Sequence, residues 1–188
     1  MKFQKYKEII RGFLDDFRYN HSLCVADEAV RLTKLYGGDC DRAYLAGLLH
    51  DITKNFSREE HLKIIKMFDI ILSDVEQNSM KLWHAITGAA YVKKILQISD
   101  EEIVSSIRYH TTAKEHMSHL EKIIYLADYT SADRNYDDVD VMRKLVNIDM
   151  DKALLYALEY TVNDLESKGF TVHPDTALAY KEIKNKIG

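Results

Sequence analysis

Apolar residues recur at three- and four-residue intervals along nearly the whole chain, and no stretch alternates apolar and polar positions cleanly between Gly or Pro turns. The pattern predicts an all-α chain. Ser57 with Glu60, Ser99 with Glu102 and Ser118 with Glu121 each have capping-box spacing ahead of an apolar run, which predicts three helix starts. Asn20 is placed to cap a helix running to Leu35 or Tyr36, where Gly37-Gly38 stops it, and Asp149 to cap a long helix ended by Gly169. Pro174, the only proline, falls in the first turn of the last helix with His173 at its cap. The chain has 188 residues, seven scattered Gly and no low-complexity tract or linker, so the expected organisation is a single-domain helical bundle over residues 1–188.

Charge narrows the functional classes. The 26 Lys+Arg and 30 Asp+Glu leave a formal net charge of -4 with the signs interleaved, which argues for no nucleic-acid partner and no membrane surface. Cys24 and Cys40 are too few for a disulfide framework in a chain this large and are expected to be buried free thiols. The opening residues Met1 to Glu8 are charged without an apolar h-region. No apolar run approaches the roughly 20 residues of a membrane span, so the expected location is cytoplasmic.

The informative chemistry lies where the helical pattern meets buried polar groups. His50-Asp51 ends the apolar run Ala43, Leu45, Ala46, Leu48, Leu49, with His21 upstream and His84, His110 and Asp128 downstream. The map puts His21 in a first helical turn, His50-Asp51 and His110 at C-terminal ends, and His84 and Asp128 inside helices. A bundle can bring all six together. A lone His on a helix is more often a satisfied surface or core residue, and a lone buried Asp more often caps a neighbouring helix or pairs with Arg. Asp51 and Asp128 both close apolar helical stretches, where an unpaired carboxylate costs several kcal/mol to bury. Together with His50 they favour a cation. Four His and two Asp can hold one metal or two, and the chemistry indicated is hydrolysis at a metal-bound water. His61, His116 and His119 lie in polar surroundings and are expected on the surface.

These residues are where the chain resembles the HD-domain metal-dependent phosphohydrolases, whose signature of a His, a His-Asp pair and a distal Asp is matched by His21, His50-Asp51 and Asp128. The resemblance runs through a motif-bearing core of about residues 18–135, with C-terminal helices over 136–188. His84 and His110 match the extra ligands of the dinuclear subset. The chain also resembles the YqeK family of bacterial symmetrical diadenosine tetraphosphate hydrolases. That likeness is carried by Arg18-Tyr19-Asn20-His21, His50-Asp51-Ile52-Thr53-Lys54, Trp83-His84-Ala85, Tyr125-Leu126-Ala127-Asp128-Tyr129, Arg134 and the tail His173-Pro174-Asp175-Thr176. Where that family usually reads Ile-Glu-Pro-x-Arg, this chain has Thr130-Ser131-Ala132-Asp133-Arg134.

The resemblance implies an HD-domain bundle holding two divalent transition-metal ions, iron first, with manganese, cobalt, nickel and zinc sharing its ligand preferences. It implies that His21, His50, Asp51 and Asp128 hold one ion and that His84 and His110 hold the second, with Asp51 bridging. Lys54 and Arg134 are expected at phosphate oxygens, with Arg18, Thr53 and His173 as weaker candidates for substrate contact. The plain alternatives are a solvated cation near a helix C-terminus for Lys54, and a loop salt bridge with Asp133, Asp137 or Asp138 for Arg134. The implied partner is a small-molecule dinucleoside polyphosphate or nucleotide, and the implied reaction splits diadenosine tetraphosphate into two ADP. A mononucleotide phosphohydrolase, a di-iron oxygenase and a non-catalytic nucleotide-binding module stay open, as does a homodimer.

Overall fold

The computed structural model describes residues 2–188; Met1, the first residue of the charged N-terminal stretch, lies outside them. Among the described residues the chain forms eleven α-helices, one 3₁₀ turn and no strand, as the periodicity predicts. The helices are α1 (Gln4–Phe13), α2 (Asp16–Tyr36), α3 (Cys40–Leu49), α4 (Arg58–Met67), α5 (Asp74–Gln77), α6 (Trp83–Lys94), α7 (Glu101–Tyr109), α8 (His119–Thr130), α9 (Val139–Val146), α10 (Met150–Ser167) and α11 (Pro174–Ile187). The 3₁₀ turn, Met80–Leu82, leads into α6. No helix among the described residues is long and apolar enough to cross a membrane.

Capping chemistry sets most of the starts. Ser57 and Ser118 close reciprocal capping boxes with Glu60 and Glu121, Asp149 caps α10, and the His173 side chain accepts from the Asp175 amide ahead of Pro174. Two expected caps shift. α2 begins at Asp16 because the Asp15 carboxylate accepts from the Arg18 amide, which leaves Asn20 inside the helix and moves His21 out of the first turn. α7 is capped by Asp100 rather than Ser99: that carboxylate accepts from two amides and is fixed by Arg42 at 2.7 Å, an anchorage a serine hydroxyl does not offer. A further capping box, Ser73 with Glu76, starts the short α5.

The core is one cluster running from Ile10 in α1 to Ile183 in α11. α8 stands at its centre. Ile123, Ile124, Tyr125, Leu126 and Ala127 are all buried, so this stretch is apolar on every side and needs neighbours all round, which α2, α3, α7, α9 and α10 supply. α2 also packs along α3, and the two approach so closely that a Cβ on Gly47 would lie 2.9 Å from the Ala26 Cα. Cys24 and Cys40 are free but only half-buried, because each sits at the margin of the cluster rather than within it.

Gly47 is therefore a tolerance point for the fold. Gly47→Ala places a methyl against main chain that cannot swing aside, and the expected cost is about 1–3 kcal/mol, read as a lower urea midpoint. An unchanged midpoint would show that the α2–α3 contact yields.

Candidate metal centre

Six side chains converge at one end of the central helices. His21 comes from the second turn of α2, His50 and Asp51 from the C-terminal end of α3, His84 from the start of α6, His110 from the C-terminal end of α7, and Asp128 from the last turn of α8. His84 lies inside its helix as expected, as the second residue of α6 directly after the 3₁₀ turn. His50 is completely buried and Asp51 is 2% exposed.

The ligand atoms form overlapping groups. His21, His50 and Asp51 make one, His50, His110 and Asp128 a second, and Asp51, His84 and His110 a third; within each, one atom from every residue lies within 4.8 Å of the others. Asp51 Oδ1 lies 3.2 Å from His84 Nε2 and 3.5 Å from His110 Nε2, while its Oδ2 lies 3.6 Å from His50 Nε2. His21 Nε2 lies 2.9 Å from Asp128 Oδ1.

Main-chain contacts decide what these nitrogens can do. His50, His84 and His110 each donate Nδ1–H to the carbonyl three residues earlier, from Gly47, Lys81 and Ile107, at 2.7–2.8 Å. In the neutral ring the Nε2 atom then carries a lone pair. His84 and His110 point these atoms at one another across 3.1 Å, with Asp51 beside them. Lone pairs and carboxylate oxygens facing each other out of water repel, and His50 Nε2 and Asp51 Oδ1 are buried without a hydrogen bond. A positive ion cures both defects. The donor set therefore fits divalent transition metals, with imidazole and carboxylate in the proportions such ions accept.

Three cationic side chains close over the carboxylates. Arg18 Nη1 lies 3.3 Å from Asp51 Oδ2, and Lys54 Nζ lies 3.4 Å from Asp51 Oδ1 and 2.9 Å from His84 Nε2. Arg134 donates Nε–H to the Asp128 carbonyl at 2.6 Å and Nη2–H to the Asp128 carboxylate. Its partner is thus Asp128 and not Asp133, Asp137 or Asp138.

The other expected contacts are placed elsewhere. Thr53 is fully buried and donates to the His84 carbonyl at 2.9 Å, so its hydroxyl braces the start of α6 and does not face the cleft. His173 is buried with Nδ1 committed to its cap and Nε2 3.7 Å from Glu76 Oε1. His61 is corrected from surface to core: it lies against Phe56 and Trp83 and donates Nδ1–H to Thr87 at 2.8 Å. The polar neighbours of His61 in sequence belong to the opposite face of α4. His116 and His119 are exposed as expected. Asp133, missed as a site residue, holds His21 Nδ1 at 2.7 Å, and the Thr111 hydroxyl lies 3.2 Å from His110 Nε2. The one signal for Asp133 was an acidic residue five positions after Asp128.

Titration reflects the same geometry. Burial pushes His50 down to about 3 and His84 down to about 4. Burial also opposes ionisation of Asp51 and Asp128, but the Lys54 ammonium beside Asp51, and Arg134 and His21 beside Asp128, hold both well below the usual carboxylate range. For His21 burial favours the neutral ring, yet hydrogen bonds to Asp128 and Asp133 prevail and raise its pKa to about 9.

Known proteins share this architecture. The model of the HD domain family matches residues 18–133. A symmetrical bis(5'-nucleosyl)-tetraphosphatase of Halalkalibacterium halodurans is 34% identical over 95% of this chain and 95% of its own length. Another of the same name from Bacillus subtilis is 36% identical over 91% of each. The crystal structure of an HD superfamily hydrolase from Clostridium acetobutylicum, described as involved in NAD metabolism, superposes with a TM-score of 0.94 at 35% identity over 98% of this chain and 97% of that one. The chain belongs to the HD-domain family and, within it, to the family of the symmetrical bis(5'-nucleosyl)-tetraphosphatases.

The metal-free protein should be most stable near neutral pH. His50 and His84 are depressed below 6.5, so the stability they contribute is present above 6.5 and lost as pH falls towards 4 and 3. His21 is raised, so its contribution is present below 6.5 and lost as pH rises through about 9. Urea titrations from pH 5 to 9 in chelator should trace this maximum, and His21→Gln should remove the fall on the alkaline side. A parent whose stability keeps rising from pH 7 to 9 would contradict the assignment.

Proposed function

We propose that this protein hydrolyses diadenosine tetraphosphate symmetrically, breaking the central phosphoanhydride to give two ADP, with two divalent transition-metal ions held by His21, His50, Asp51, His84, His110 and Asp128. The observation that carries the reading is the set of inward-facing Nε2 lone pairs with the buried Asp51 and half-buried Asp128 carboxylates beneath three cationic side chains. Asp51 turns Oδ1 towards His84 and His110 and Oδ2 towards His50, which supports a bridging role between the ions. Iron suits a site this rich in imidazole and carboxylate. When bound there, such ions lower the pKa of water towards neutrality and neutralise phosphoryl charge.

The chain's own residues supply position and charge. The carbonyls of Gly47, Lys81 and Ile107 hold three imidazoles in the tautomer that presents Nε2. Arg18 and Lys54, one against each oxygen of Asp51, stabilise negative charge on the attacked phosphoryl oxygens and on the leaving diphosphate. The Nη1 group of Arg134 remains for a phosphate, while its other donors lock Asp128. No side-chain nucleophile is required. Relatives named symmetrical tetraphosphatases that match this chain nearly end to end support cleavage at the central bridge. The half-buried free thiols Cys24 and Cys40 agree with a reducing cytoplasm.

Incubation with diadenosine tetraphosphate and separation of the products should yield ADP alone; ATP with AMP, or no turnover in metal-loaded protein, would sink the proposal. Asp51→Ala should abolish activity. Lys54→Ala should keep its metals yet lose one to three orders of magnitude in kcat/KM, roughly the range for removing one donor to developing charge. Arg134→Ala should lose metal affinity as well as activity, because it frees Asp128.

A further inference from the structure

The four ligand histidines are not held alike. Three rest on uncharged peptide carbonyls three residues earlier, His50 and His110 within their own helices and His84 in the 3₁₀ turn before α6. His21 lies in the second turn of α2, where the carbonyls are committed to the helix, and its Nδ1 meets the Asp133 carboxylate from the loop after α8, 2.7 Å away and 112 residues later. The other oxygen of Asp133 accepts from the Ser131 hydroxyl at 2.8 Å, and Ser131 is completely buried. Asp133 is therefore itself oriented. The ring of His21 is 1% exposed, so no water competes for its Nδ1.

We propose that Asp133 is the positioning residue for one of the two metal positions: it fixes His21 as the Nδ1–H tautomer, aims Nε2 at Asp128 and strengthens the ring as a donor. A carboxylate behind a ligand imidazole does this through charge as well as direction, which a peptide carbonyl does not match. The His84–His110 side has no such partner, so the two positions differ in what supports them. The assignment rests on the metal reading given above.

The test is titration of metal-stripped protein with Mn²⁺ in competition with a chromogenic chelator, for the parent, Asp133→Ala and Asp133→Asn, with thermal melts of the metal-free forms. Asp133→Ala should weaken one of two Mn²⁺ ions about 10–100-fold and leave the other unchanged. Asp133→Asn, which keeps an acceptor of the same length without the charge, should recover part of that loss. Unchanged affinities at both positions would overturn the proposal. So would equal weakening of both with a matching fall in melting temperature, since Asp133 would then be a brace for its loop. A parent that binds no Mn²⁺ brings down the metal reading itself, and that result is distinct because it precedes any substitution.

Discussion

A fully buried carboxylate, Asp51, beside a largely enclosed one, Asp128, is the constraint on which the rest of the structure depends. Removing an ion of this size from solvent costs several kcal/mol even after relaxation. One opposite charge at 3.3–3.4 Å, the distance of Arg18 and Lys54 from Asp51, returns roughly 4–5 kcal/mol at an effective dielectric of 20. Both cations are partly exposed and therefore screened. The two sides nearly cancel, and the converging imidazole lone pairs tip the balance towards repulsion. A cluster like this persists only where a large apolar core holds its helices and where cations, mobile or covalent, complete the charge.

That core explains why the ligands sit where they do. Helix ends converge more readily than helix centres, and a C-terminal turn has carbonyls free to orient an imidazole. His50 and His110 use that arrangement in α3 and α7, and His84 uses the carbonyl of Lys81 in the 3₁₀ turn before α6. Asp128 lies in the last turn of α8, whose apolar stretch is buried all round and so fixes that turn against every neighbour. His21 is the exception, lying inside a helix, and it borrows its support from a distant loop.

The phosphate-facing chemistry is layered on the same residues. Arg134 is the clearest case. Its guanidinium grips both the carbonyl and the carboxylate of Asp128, so a residue read from sequence as a two-pronged phosphate contact has spent two of its donors on a ligand. Lys54 sits within hydrogen-bond reach of His84 as well as close to Asp51. Under the proposed function, Arg134 couples substrate binding to the integrity of the centre through its grip on Asp128.

What the sequence determined by itself follows from local physics. Periodicity of apolar residues made the helices legible, capping residues marked most of their ends, and adjacency of His50 to Asp51 at the close of an apolar run marked the site, because buried carboxylates need a stated reason. Asn20 and Ser99 misled, since Asp15, five positions before Asn20, and Asp100, directly after Ser99, are stronger acceptors, and Asp100 gains Arg42 from another helix. His61 misled because its polar sequence neighbours occupy the far side of its own helix. Only the tertiary structure decided that Asp133 meets His21 across 112 residues, that Thr53 and His173 turn into the interior, and that Arg134 closes on Asp128. Those choices depend on which helix faces which, and that is set by the packing of the whole core rather than by any segment within it.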